Sequence, residues 1–150
     1  MITEKLKKFR SIDRAQKTLI IIAVKELALA RLYFSLFSTE TIFKELEKQS
    51  LGPGSNIDKS HLHRIAMAID VAAANVPWRA DCMIKVIAAN RWLRRLGVAS
   101  HFKIGVRKDM SNRLIAHAWL NVGDSVFVGG DISGYGIIDG SGDPRSEDAS

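Results

Sequence analysis

A chain of 150 residues with 22 Lys and Arg against 16 Asp and Glu, a net charge of +6 and one cysteine reads as a single domain able to bury a real core. The lone thiol excludes an internal disulfide, and "MITEKLKKFRSIDRAQK" is charged where an export signal needs an apolar run, so a cytoplasmic location is expected. The basic clusters "KLKKFR", "RWLRR" and "VRK" are scattered and carry no recognition motif, so no nucleic-acid partner is expected.

From Arg14 to Phe37 the chain reads as a long apolar helix, "RAQKTLIIIAVKELALARLYFSLF". Lys17, Lys25, Glu26 and Arg31 interrupt it, each costly in hydrocarbon, so a buried core helix is expected rather than a membrane span. Association with a membrane surface is left open and is not expected. In "STETIFKELEKQS", Ser38 or Thr39 caps a short helix with Ile42, Phe43 and Leu46 at helical spacing. "LGPGSN" then breaks the chain. The next helix runs from about Asp58 to Ala74, with Leu62, Ile65, Ala66 and Ile69 as its buried stripe. Pro77 stops it and pushes Val76 to an extended conformation.

Asp81 is the expected N-cap of the following helix. Cys82, Val86, Ala89, Leu93 and Leu96 form its apolar seam, Lys85, Arg91, Arg94 and Arg95 lie away from that seam, and Gly97 ends it. The pattern then alternates. "SHFKIGV" sets Phe102, Ile104 and Val106 on one side of a strand, and "IAHAWLNV" and "SVFVGGDI" read as a hairpin. Helices followed by antiparallel strands make an α+β domain over 1–150, with a helical N-terminal part (1–75), a core (76–140) and a polar tail (141–150) expected to be disordered.

The hairpin register has a chemical consequence. A three-residue loop, Gly123-Asp124-Ser125, pairs Val122 with Val126 and Leu120 with Val128 and collects the apolar residues on one face. It also sets Asp131 across from His117, within reach of a carboxylate–imidazole contact. A bulge at Gly129-Gly130 after a two-residue loop gives the same alignment.

A thiol in the first turn of a helix meets backbone N–H groups without helical acceptors, and an imidazole backed by a carboxylate supplies a base. Cys82, His117 and Asp131 provide those three groups. Spacing leaves the bland reading open beside this one, with Cys82 a small buried hydrophobe and His117 a strand residue with a satisfied nitrogen. His61 and His63 sit two apart and diverge on a helix, without a second ligand cluster, so neither a metal nor another cofactor is expected. Trp78 and Arg79 either line a cleft or anchor the loop.

"VPWRADCMIKVIAANRWLRRLGV", "GVRKD" and "AHAWLNV" followed by "GGD" resemble the transglutaminase-like peptidases of lasso-peptide biosynthesis, the B proteins, along nearly the whole chain. The resemblance implies a papain/transglutaminase-like fold with a Cys-His-Asp triad. Carried over by motif, Cys82 is the nucleophile and His117 the base. Asp131 fits best as the third member, with Asp139 as the fallback. It also implies removal of the leader from a ribosomally made precursor peptide, after which a separate ATP-dependent lasso cyclase joins the freed core amine to an Asp or Glu side chain. Fused members carry a leader-recognition domain before the peptidase, and this chain has no room for one. A separate leader-recognition protein is therefore an expected partner, with the cyclase as a further one. Two other readings stay open: a transglutaminase-like amidase or acyltransferase on another substrate, and a non-catalytic basic interaction module.

Overall fold

The computed structural model of the chain describes residues 3, 4, 7, 10–48 and 57–138. From residue 14 on, among the described residues, the helices α1 (Arg14–Leu36), α2 (Thr39–Glu47), α3 (Lys59–Ala73) and α4 (Cys82–Arg95) precede the strands β1 (His101–Lys108), β2 (Leu114–Val122), β3 (Ser125–Val128) and β4 (Gly136–Ile137). The sheet is antiparallel in the order β3-β2-β1-β4, so the α+β class stands. The "LGPGSN" breaker, the tail and Asp139 lie outside the described residues.

Each helix begins where a side-chain oxygen takes up an unpaired backbone N–H. Asp13 accepts from the Gln16 amide, Ser38 from Thr41, Asp58 from Ser60 and Asp81 from Ile84. At the far end of α4, the Gly97 amide donates to the Arg94 carbonyl and the Val98 amide to Leu93, the paired bonds of a Schellman stop.

α4 is the central element, packed on α1 and α3 on one side and on β2 and β3 on the other. Its buried surface is wider than the expected seam: Ile84, Val86, Ile87, Ala88, Ala89, Asn90, Trp92 and Leu93 are all buried. A helix covered from two sides loses its polar face along the middle, which a single stripe does not anticipate. The stripe of α3 is likewise shifted, to Ile65, Ala68, Ile69 and Ala72, leaving Leu62 and Ala66 half-buried.

The buried side of α1 contains Glu26, 0% exposed among Leu19, Ile20, Ala23, Leu27 and Ala30. Its Oε1 accepts a hydrogen bond from Arg95 at 2.5 Å, and Oε2 lies 3.7 Å from Arg91 Nε. A carboxylate removed from water needs such a counter-charge. The arginines that point away from the apolar seam of α4 thus lock α1 onto it.

The hairpin differs from its expected register. The loop has two residues, with Val122 opposite Ser125 and Asn121 opposite Val126, and a register shift between Leu120 and Asn121 then brings Leu120 opposite Val128. Gly123, with φ +58°, supplies the left-handed start that a two-residue hairpin turn requires. Phe127 is the extra residue of the bulge; it packs against the core while Val126 is exposed. The ladder ends at Val128, so the expected pairing of Asp131 with His117 does not form.

The Glu26 clamp yields a stability test. Arg95→Ala, which strips the close counter-charge from a fully buried carboxylate, is expected to lower the unfolding free energy by about 3 kcal/mol in urea titrations. Glu26→Gln, which removes the charge and keeps an acceptor, is expected to cost less; the reverse order contradicts the clamp.

Candidate active site

Cys82 is the first residue of α4, a free and half-buried thiol packed against the core beside Ala80 and Met83. The first helical bond runs from the Lys85 amide to the Asp81 carbonyl at 3.0 Å, and the Ile84 amide is taken by Asp81 Oδ1 at 3.4 Å. The amides of Cys82 and Met83 therefore precede the helical ladder, and neither has a protein acceptor among the described residues. Arg79 Nε lies 3.4 Å from Asp81 Oδ2 and offsets the capping carboxylate. Trp78 packs against the core with a buried indole N–H that has no acceptor among the described residues, and Arg79 is exposed on the cap. His61 and His63 are exposed on α3.

His117 lies in the middle of β2. Alternation sends Ala118 and Leu120 into the core and puts His117 and Trp119 on the opposite face. The imidazole is enclosed by rings, with its centroid 6.1 Å from that of Trp119 and 5.2 Å from that of Tyr135. The guanidinium of Arg107 lies 4.7 Å above the Tyr135 ring. Trp119 itself is 1% exposed.

Among the described residues the imidazole has one close polar partner. Nε2 lies 2.5 Å from the carbonyl oxygen of Gly129. A carbonyl only accepts, so Nε2 carries the proton, and in the neutral ring Nδ1 keeps its lone pair. Gly129 brings its carbonyl there because φ is +127° and because a Cβ at this position would lie 2.3 Å from the Trp119 Cβ. No other residue fits without displacing the tryptophan.

Asp131 occupies the same loop but turns outward. It is exposed, and its Oδ1 accepts from the Ser133 amide at 2.9 Å. The Ser133 hydroxyl and amide, with the nearby charge of Arg107, hold its carboxyl below the ordinary carboxylate range. The structure thus sets a carbonyl against His117 where the sequence reading had a carboxylate.

α4 packs on β2 through the core face that carries Ala118 and Leu120, while His117 stands on the opposite face of the strand. No hydrogen bond joins the thiol to the imidazole among the described residues. A cavity of about 160 Å³ lined by Tyr33, Ile42, Ile87 and Arg91 lies along the later turns of α4, away from Cys82 at its start. The residues that sequence reasoning missed are Gly129, as the source of the acceptor, and the Tyr135–Arg107 pair beside the ring. "GGD" was the available signal for the first, while Tyr135 sits in a stretch without periodicity.

Comparison with protein families matches residues 26–138 to the Transglutaminase-like superfamily. No curated protein and no solved structure matches the chain.

Gly129→Ala is expected to destabilise the fold by roughly 2 kcal/mol or more, through the clash and the unfavourable φ. It should also change the tautomer of His117 seen in long-range nitrogen-15 NMR spectra. Gly130→Ala, with φ +65° and open space around it, is expected to cost about 1 kcal/mol and leave that tautomer alone. An unchanged His117 spectrum in Gly129→Ala contradicts the assignment of the carbonyl as its partner.

Proposed function

Because the chain belongs to the transglutaminase-like superfamily, we propose that it is a cysteine-dependent acyl-transfer enzyme of papain/transglutaminase-like fold that hydrolyses a peptide bond. The observation that supports this reading most is the family match spanning both the helix headed by the chain's only thiol and the strand holding an imidazole with a fixed tautomer.

In the proposed mechanism, His117 Nδ1 takes the proton of the Cys82 thiol, and the sulfur attacks the scissile carbonyl carbon. The amides of Cys82 and Met83 donate to the oxyanion that forms. Collapse breaks the C–N bond as the Nδ1 proton passes to the departing amine, leaving a thioester on Cys82. His117 then takes a proton from water, whose oxygen attacks the thioester; the acid is released and the thiol restored. The Gly129 carbonyl holds the ring in the required tautomer throughout. Asp131 is the third member that the resemblance carries over; in the structure it turns outward to Ser133, and the Gly129 carbonyl holds the ring.

The resemblance of "VPWRADC" and "AHAWLNV…GGD" to lasso-peptide B proteins supports the finer assignment: removal of the leader from a ribosomally made precursor, freeing the core amine for macrolactam formation. A separate leader-recognition protein would raise the effective concentration of the cleavage site at Cys82, and the ATP-dependent cyclase would take the product. The second reading, an amidase or acyltransferase on another substrate, uses the same thioester with an amine in place of water.

Incubation with a leader–core precursor, with and without a leader-binding protein, tests the assignment. Cleavage is expected to be strong with the partner, weak alone, and absent in Cys82→Ala with an unchanged circular dichroism spectrum. Retained cleavage in that variant contradicts the nucleophile, and an amide product with a supplied amine selects the second reading. Asp131→Asn keeps an acceptor for Ser133 and removes the charge, so kcat is expected to fall about tenfold or more. An unchanged kcat assigns the orienting role to Gly129 alone.

A further inference from the structure

The buried half of α1 accounts for only one side of a helix that is apolar nearly all round. On the other side, Ile21, Val24, Ala28, Leu32 and Leu36 recur at spacings of three and four and form one exposed ridge, roughly 22 Å long at the helical rise. Exposure reaches 65% at Ile21, 55% at Leu32 and 69% at Leu36, and Phe37, at 48%, extends the ridge past the last turn. Apolar side chains placed this regularly in water mark a surface that is covered by something.

Charge narrows what covers it. α1 contains four cations, Arg14, Lys17, Lys25 and Arg31, and a single carboxylate, Glu26. Glu26 is fully buried on the opposite side and held by Arg95. The exposed side of the helix therefore presents Arg14 and Lys25 with the apolar ridge and no acid at all, on a chain of net charge +6. A second copy of the same face would set like charges against each other. The occupant that complements the ridge is apolar and negatively charged at once.

We infer that α1 docks the protein on an anionic phospholipid surface, lying in the interface with Ile21, Leu32, Leu36 and Phe37 among the upper acyl chains and Arg14 and Lys25 reaching the headgroups. The ridge is convex, with side chains that stand out from a single helix. A fluid interface accepts that shape without a preformed groove, and long basic side chains beside an inserted apolar face can extend to headgroup level. No described helix is long and apolar enough to cross a membrane. The interaction is thus one of lying on the surface. The buried side of α1 stays in the core while the ridge inserts, so docking requires no unfolding. This inference does not depend on the chemistry of Cys82.

Sedimentation of the full chain with extruded vesicles tests it, comparing phosphatidylcholine alone with phosphatidylcholine containing phosphatidylglycerol. Binding to the anionic vesicles is expected to exceed binding to the zwitterionic ones by about tenfold or more and to weaken with added salt. The double variant Ile21→Ser/Leu32→Ser and the single variant Lys25→Glu are each expected to reduce it severalfold, with circular dichroism unchanged. Lys25 is exposed and unburdened by packing, so its replacement keeps the test valid even where the double variant misfolds. Absence of anionic preference, binding indifferent to Lys25→Glu, or a stable dimer in size-exclusion chromatography that Ile21→Ser dissociates would each overturn the inference. The last outcome would assign the ridge to a second copy, and capture of an acidic protein without vesicle binding would assign it to a protein partner.

Discussion

The hydrogen bond from His117 Nε2–H to the Gly129 carbonyl governs the proposed site, because it decides which ring nitrogen is left with a lone pair for the base role proposed here. A backbone carbonyl makes a different kind of partner from a carboxylate. It fixes the tautomer and the ring plane without adding a full negative charge. The geometry also rests on a position that only glycine can hold, since the loop approaches Trp119 too closely for any Cβ. Packing, backbone conformation and proton placement are therefore one constraint: Trp119 seals the space, Gly129 fits against it, and the carbonyl meets the imidazole as a result.

α4 supplies the other half of the arrangement, and both its ends are specified. Asp81 takes one amide of the first turn and leaves those of Cys82 and Met83 before the helical ladder; the paired bonds at Gly97 and Val98 stop the last turn. Between them, burial against α1 and the sheet fixes the axis, and the bridge from Glu26 to Arg95 ties α1 to the far end. A thiol at the head of such a helix has little freedom to drift. Precision of this kind is what the proposed covalent catalysis needs from a scaffold.

Much of this was legible in the residues. Ser38, Asp81 and Gly97 mark helix ends by chemistry that acts within a few positions, and the change from helical to alternating periodicity after Gly97 separates helices from strands. What was not legible depends on partners distant in the chain. Glu26 looked like an interruption of an apolar helix and Arg95 like a solvated charge, and only the packing of α1 on α4 joins them. In the hairpin, the apolar pattern favoured a three-residue loop, while Gly123 at its head favoured two; turn geometry prevailed, and a bulge at Phe127 restored the alignment of Leu120 with Val128. The end of the ladder at Val128 then separated Asp131 from His117, a consequence no local pattern encodes. β4, two residues long, carries too little pattern to be read at all.

The face of α1 that the core leaves uncovered and the site at the head of α4 belong to different parts of the molecule, joined through the packing of these two helices. Under the two proposals, that arrangement would let a docked protein keep its thiol available to a peptide. The central claim remains that the imidazole of His117 acts on the sulfur of Cys82. Its most direct test is the rate of carboxamidomethylation of Cys82 by iodoacetamide at pH 7 in the unmodified chain and in His117→Ala, followed by mass spectrometry. The account predicts that removing the imidazole slows the reaction roughly tenfold or more with the fold intact. Equal rates in the two proteins would contradict it.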